Sequence, residues 1–354
     1  MDASRSQALD DHRRRDIRRL LRHTRPESSP AGPGDMTHPE ALLAWLRPVL
    51  RELSAAAERP CPRPRPSVRP LTRRPASATG DVRPKGRLRA GSVDSPRVDR
   101  TSLVQADLAE DTPAMATFVL VHGGFCRRWV WEDTATALAA KGHRVEVVDL
   151  PSSGPDPAAG GGLAGDVGTV RRAVDACGTG VVLVGHSGSG MVLAELADHP
   201  GVGHSVYVAA LRPRKGQSIA DLLGGQIPGW MVVDPEEGVV RVSDSPDVVR
   251  QALCADVEED RFLREVYPRF VASSLQLMAD ASSAPPAAHE TTYVICEQDQ
   301  AVPVAAQEAM SAQTDRVERL PSSHNPQLSM PQRLAEVLDS AARATVGGPS
   351  SLAP

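Results

Sequence analysis

Two short stretches hold most of the chemistry this chain offers. The first is Gly185-His186-Ser187-Gly188-Ser189, which follows the apolar run Val181-Val-Leu-Val184 and leads into a helix-like stretch at 188–198. A serine set in a tight turn between a buried strand and a helix presents its hydroxyl at the helix N-terminus. There the dipole and the free N–H groups favour developing negative charge. Such a turn is strained and needs small residues two positions either side of the serine. Gly185 meets this need; Ser189 stands where glycine is usual, is still small, and is followed by Gly190. The second stretch is His122-Gly123-Gly124-Phe125, directly after the apolar run at 117–121. Acyl transfer needs donors aimed at an oxyanion, and glycines let the backbone approach a substrate closely. Ser187 is therefore the candidate nucleophile. The amides of Gly188 and of the second loop, Gly124 first and Phe125 as second choice, are the candidate oxyanion donors. Either stretch alone also reads as a glycine-rich turn without chemistry; strand, turn and helix in that order favour the reactive reading. His122 is expected to brace its loop rather than to act as a base.

These loops need elements to hold them. From Ala116 onward apolar strands alternate with helical patterns. Strands are expected at 117–121, 144–149, 181–184, 205–209, 292–296 and 316–320, with helices at 129–141, 163–177, 188–198, 304–312 and from 331 to about 343. That alternation predicts about six parallel strands with helices on both faces, an α/β architecture. It pauses at 211–290, where short helical stretches near 246–254 and 258–280 and a β-like run at 238–242 predict a mostly helical cap inserted after the fourth strand. An insertion there is placed to cover the carboxyl ends of the strands, where open α/β sheets bind ligands; ordinary surface elaboration is the alternative.

Two later stretches complete the set. The fifth strand ends in Glu297-Gln298-Asp299-Gln300, and the sixth leads into Pro321-Ser-Ser-His324-Asn325. Together with Phe118-Val-Leu-Val-His-Gly-Gly124, Trp129, Trp131 and the turn at Ser187, these residues give 116–345 a resemblance to the α/β-hydrolase superfamily. More narrowly the chain resembles the capped esterases of the plant methylesterase and hydroxynitrile lyase group and their bacterial relatives. The resemblance implies a triad in the chain order serine, acid, histidine. The acid follows a late strand, at Asp299 or Glu297; the family places it at the second acidic position, hence Asp299. His324 is the one histidine after either acid, and it is the expected base. The expected reaction is cleavage of a small carboxylic ester through an acyl-enzyme, with no metal or organic cofactor. A lyase on this scaffold is the alternative from another class. The resemblance implies that lyases carry lysine after the catalytic histidine and threonine after the loop histidine, where this chain has Asn325 and Gly123. A non-catalytic binding module is the third reading, and it has no need of all three triad groups. Phe125, Trp230 and Met231 are candidate pocket residues, with cap packing as their alternative role.

Composition bounds the rest. Residues 1–100 hold 22 Lys and Arg against 12 Asp and Glu, although the whole chain is formally −4. With the Pro-, Arg- and Ser-rich stretch at 59–100, residues 1–114 read as a largely disordered extension carrying one or two marginal helices. The extension is either a solvated tail or an arm for an anionic surface or nucleic acid; the domain at 115–345 is expected to bind neither nucleic acid nor membrane. Met115 directly precedes the first strand, where a compact domain could begin, and 346–354 read as a disordered tail. Five widely spaced cysteines without a CxxC pair argue against a disulfide framework or zinc site and fit the cytoplasm. Cys126 and Cys296 are expected to be core fillers. No apolar stretch is long enough for a membrane span, and no secretory signal opens the chain.

Overall fold

The computed structural model describes residues 115–346; the expectations for 1–114 and for the C-terminal tail fall outside them. In chain order the elements run β1 (Thr117–Val121), α1 (Glu132–Ala140), β2 (Arg144–Val148), α2 (Gly162–Cys177), β3 (Val181–His186), α3 (Gly190–Glu195) and β4 (Val202–Val208). An insertion follows, with α4 (Ile219–Leu222), β5 (Met231–Asp234), β6 (Val239–Val242), α5 (Pro246–Leu253), α6 (Glu259–Arg261), β7 (Ser273–Ser274) and α7 (Leu275–Ala279). The chain then returns through β8 (Glu290–Cys296), α8 (Val304–Ser311), β9 (Arg316–Leu320), α9 (Pro326–Ser329) and α10 (Pro331–Val346).

Six strands form one parallel sheet in the order β2-β1-β3-β4-β8-β9. The parallel α/β sheet expected from the alternating pattern is the one observed, as the resemblance to the α/β-hydrolase superfamily also implies. β3, all of β4 but Gly203, and β8 beyond its first residue are buried on both faces, so helices cover both sides. The edge strands β2 and β9 keep exposed positions. This is why the central strands read as continuous apolar runs and the edge strands carry Arg and Glu. Strand order reverses at β1: the chain first adds β2 on one side of it and then returns to add β3 on the other. A crevice opens at such a reversal, beyond the carboxyl ends of the strands. The register pairs Val121 with Gly185, so the loops after β1 and β3 emerge side by side. Cys296 pairs with Leu320, and the Gln298 amide donates to the Ser322 carbonyl at 2.9 Å, which joins the loops after β8 and β9. Four loops distant in sequence thus meet at one end of the sheet.

The insertion holds more helix than strand, and it also contains a small antiparallel sheet in the order β5-β6-β7. The run at 238–242 anticipated β6 alone. The helical stretch expected over 258–280 is corrected in its middle. The helical path ends in a 3₁₀ turn at Tyr267–Arg269, and the chain runs extended through β7 before α7. Pro268 lies in that turn, and proline removes a helix donor and crowds the preceding turn. Among the described residues no helix is long and apolar enough to cross a membrane.

Candidate active site

Ser187 sits in the turn leaving β3 with φ +54, a left-handed conformation rare for any residue but glycine. Its surroundings hold it there. A Cβ on Gly190 would lie 1.9 Å from the Leu211 carbonyl oxygen, so the helix after the turn passes against backbone and tolerates only glycine. A Cβ on Gly123 would lie 2.8 Å from the Ser187 Cβ, so the loop after β1 likewise reaches the serine only because glycine is there. Ser189 explains its own departure from glycine. Its buried Oγ lies 2.8 Å from the His186 carbonyl and 3.1 Å from that of Val121, tying the turn to the end of β1.

His324, buried in the loop after β9, places Nε2 2.9 Å from the Ser187 Oγ and Nδ1 2.8 Å from Asp299 Oδ2. A carboxylate only accepts, so the Nδ1 proton points to Asp299 and Nε2 is left to accept from the serine hydroxyl. Asp299 is itself immobilised. Its Oδ1 accepts from the amides of Ala301 and Val302 at 2.8 and 3.0 Å, and its Oδ2 also accepts from Gln307 Nε2 at 2.9 Å. Glu297, the other acid considered, is exposed and faces Arg319 at 3.8 Å, whereas the His324 Nδ1 bonds to Asp299.

The loop after β1 behaves as a braced turn. His122 donates from Nδ1 to the Gly123 carbonyl at 2.8 Å and accepts the Leu150 amide on Nε2 at 3.0 Å. Burial lowers its pKa to about 4, so it stays neutral at ordinary pH. Gly188, in the first turn after the serine, has an amide without an intrahelical acceptor. The Gly124 amide nitrogen lies 3.9 Å from where a Gly188 Cβ would stand, so the loop after β1 passes close to the residue after Ser187. Phe125, the second-choice donor, is corrected: its amide is spent on Ser273 Oγ at 2.7 Å.

Of the candidate pocket residues, Phe125 and Trp230 meet edge to face with centroids 5.6 Å apart, and both are buried. Met231 opens β5, pairs with Val242 and is half-buried. Ile219, which the sequence did not single out, places its Cδ1 3.7 Å from a Cβ position on Gly188, the residue after Ser187. Cys126 and Cys296 are buried, and desolvation pushes both thiols up, Cys126 to about 12. Neither holds the thiolate that nucleophilic attack requires.

Several supporting residues escaped the sequence. Gln307, fully buried on α8, accepts the Cys296 amide at 3.0 Å and donates to the Val302 carbonyl at 2.8 Å as well as to Asp299. Its signal was a polar residue on the buried face of a short helix. His186 donates from Nε2 to the His324 carbonyl at 2.8 Å, and burial first, then the neighbouring His324, lowers its pKa far below the usual histidine value. Both neighbours of His324 are held by the insertion. The Ser323 amide donates to Asp256 Oδ2 at 2.9 Å and its hydroxyl to the other carboxylate oxygen, while Asn325 Nδ2 donates to the Leu253 carbonyl at 2.8 Å. No local pattern marks these contacts, which span about seventy residues.

Comparison with known proteins agrees with this architecture. The model of the "Alpha/beta hydrolase family" matches residues 118–337. The chain is similar to the probable hydrolase R7 of Phoma sp., with 27% identity over 62% of this chain and 95% of that protein. It is similar to methylesterase 1 of Arabidopsis thaliana, with 26% identity over 62% of this chain and 93% of that one. The crystal structure of a pyrethroid hydrolase from Sphingobium faniae JZ-2 superposes with a TM-score of 0.57 at 22% identity, covering 65% of this chain and 98% of that one. A match over well over half of this chain, on the fold expected of it, settles the family: the protein belongs to the alpha/beta hydrolase family.

Proposed function

We propose that the protein is a serine esterase that cleaves a small carboxylic ester through an acyl-enzyme, with Ser187, His324 and Asp299 as its triad. The observation that carries this reading is the unbroken hydrogen-bonded chain Ser187 Oγ, His324 Nε2, His324 Nδ1, Asp299 Oδ2, with links of 2.9 and 2.8 Å. Ser187 attacks the ester carbonyl while His324 takes its proton. Asp299 holds the imidazole tautomer and stabilises its cationic form. The amides of Gly124 and Gly188 receive the oxyanion. His324 then returns the proton to the leaving alkoxide and activates water against the acyl-enzyme. Phe125 and Trp230, which meet edge to face, are assigned to an apolar wall of the substrate pocket, with Met231 as a further lining residue. The lyase reading loses ground on Asn325, which bonds to the Leu253 carbonyl in place of the ammonium that reading requires.

The test is p-nitrophenol release from short-chain p-nitrophenyl esters by wild type beside Ser187→Ala. The expected outcome is hydrolysis by wild type and a loss of about 10⁴-fold or more in a folded variant. Equal rates in the two proteins would remove Ser187 from the mechanism.

A further inference from the structure

The residue that fixes the oxyanion loop comes from the insertion rather than from the sheet. Phe125, directly after Gly124, has φ +63, which is strained for a bulky aromatic residue. Strain of this kind persists only where the surroundings over-determine it, and both backbone polar groups of Phe125 are held by one extended segment. Its amide donates to Ser273 Oγ at 2.7 Å, and its carbonyl accepts from the Val271 amide at 2.8 Å.

That segment is rigid on both sides. On one edge β7 pairs with β6, Ser273 opposite Val240 and Ser274 opposite Val239. On the other it bridges the loop after β2. Ser153 opposes Ser273, the Gly154 amide donates to the Ala272 carbonyl at 3.1 Å, and the Ser274 amide donates to the Ser152 carbonyl at 2.8 Å. The Ser273 hydroxyl is buried, lies 3.0 Å from Ser153 Oγ, and would lie 3.6 Å from a Cβ on Gly124.

Building on the esterase reading above, we propose that Ser273 is a positioning residue for the oxyanion site: by accepting the Phe125 amide it locks the strained turn that aims the Gly124 amide at the reacting oxygen. The same bond removes the Phe125 amide as a competing donor and leaves Gly124 to serve. The insertion is therefore part of the catalytic framework as well as a cover.

The test compares wild type, Ser273→Ala, Ser273→Thr and Ser153→Ala in hydrolysis of p-nitrophenyl acetate and in inhibition by phenylboronic acid. The boronate becomes a tetrahedral anion on a nucleophilic serine and places an oxygen where the oxyanion forms. Full loss of one oxyanion donor costs about 10²–10³-fold in kcat, and a misaimed donor costs part of that. Ser273→Ala should lower kcat by about 10–100-fold, leave KM within about twofold, and weaken boronate inhibition in proportion to kcat. Ser273→Thr keeps the hydroxyl and should restore most of the rate. Ser153→Ala touches only the far side of that hydroxyl and should lose much less. Should Ser273→Ala fail to fold, Ser273→Cys keeps the volume, weakens the acceptor and carries the same comparison. An unchanged kcat, a loss confined to KM, or boronate inhibition unmoved while kcat falls would overturn the proposal. If wild-type hydrolysis depends on Ser187 and Ser273→Ala is indifferent, the esterase reading stands and this one falls. If wild-type hydrolysis is independent of Ser187, both fall.

Discussion

The sheet and the insertion contribute to the site in different ways. The loops after β1, β3, β8 and β9 carry the groups that the proposed mechanism uses: Gly124, Ser187, Gly188, Asp299 and His324. The insertion carries none of these, yet it grips the two loops whose geometry matters most. Asp256 and Leu253 hold Ser323 and Asn325 on either side of His324, and Val271 and Ser273 hold Phe125 beside Gly124. Sites gain precision when the reacting groups sit on rigid elements and a surrounding layer of hydrogen bonds fixes their rotamers. Here that surrounding layer is supplied partly by α8, through Gln307, and largely by the insertion.

The comparison breaks most visibly at the sheet. Asp299→Asn keeps the shape of the acid but can present its amide to His324, which favours the wrong tautomer. It should lower kcat by about 10³–10⁴-fold with little change in KM, as measured by steady-state hydrolysis; a loss under tenfold would point to another acid. Gln307→Leu removes one of the donors to Asp299 Oδ2 and leaves the Cys296 amide and the Val302 carbonyl without their side-chain partner. About 10-fold in kcat and about 1–3 kcal/mol in stability are expected, read from kinetics and urea melts. A variant as stable and active as wild type would show that the bonds to Asp299 from the Ala301 and Val302 amides suffice.

The smallest effect concerns Asp166 on α2, which accepts the Ser152 amide and hydroxyl at 3.0 and 2.6 Å next to the segment stitched to β7. Burial pushes its carboxyl up to about 7. The folded protein therefore holds this proton more tightly than the unfolded chain, whose aspartates titrate near ~3.9. The associated stability is full below about pH 4 and is lost as pH rises through about 7. His122 and His204, both lowered to about 4 mainly by burial, act in the other direction. They remove stability as pH falls from about 6.5 through about 4. Asp166→Asn should remove this contribution to the slope of the melting-temperature profile between about pH 4 and pH 7 and leave the profile below about pH 4 as it is. A parallel profile in the variant would show that Asp166 stays ionised in the folded state.

The contrast between the two regions also explains what was legible in the sequence. The sheet announced itself because fully buried parallel strands must be continuous apolar runs, and because the turn at Ser187 needs small residues at fixed offsets. His324 followed from chain order once the acid was placed. The insertion carries no comparable periodicity. Its β7 has two residues, and the helix read across 258–280 overlooked Pro268. Ser273 looks like any serine in Ala272-Ser-Ser274, and its importance lies in Phe125, 148 residues away. Gln307 could have been noticed as a polar side chain on the buried face of α8, but its partner in the loop after β8 is a matter of tertiary packing. Sequence left Gly124 and Phe125 as the candidate donors of the loop after β1, and a hydrogen bond from outside both stretches engages the Phe125 amide.

The most direct measurement is covalent labelling of the intact protein with a fluorophosphonate, followed by peptide mapping in a mass spectrometer. The account predicts one phosphonyl group on the peptide bearing Ser187, absent in Ser187→Ala and strongly slowed in His324→Ala. Labelling at another residue, or equal labelling of wild type and Ser187→Ala, would contradict it.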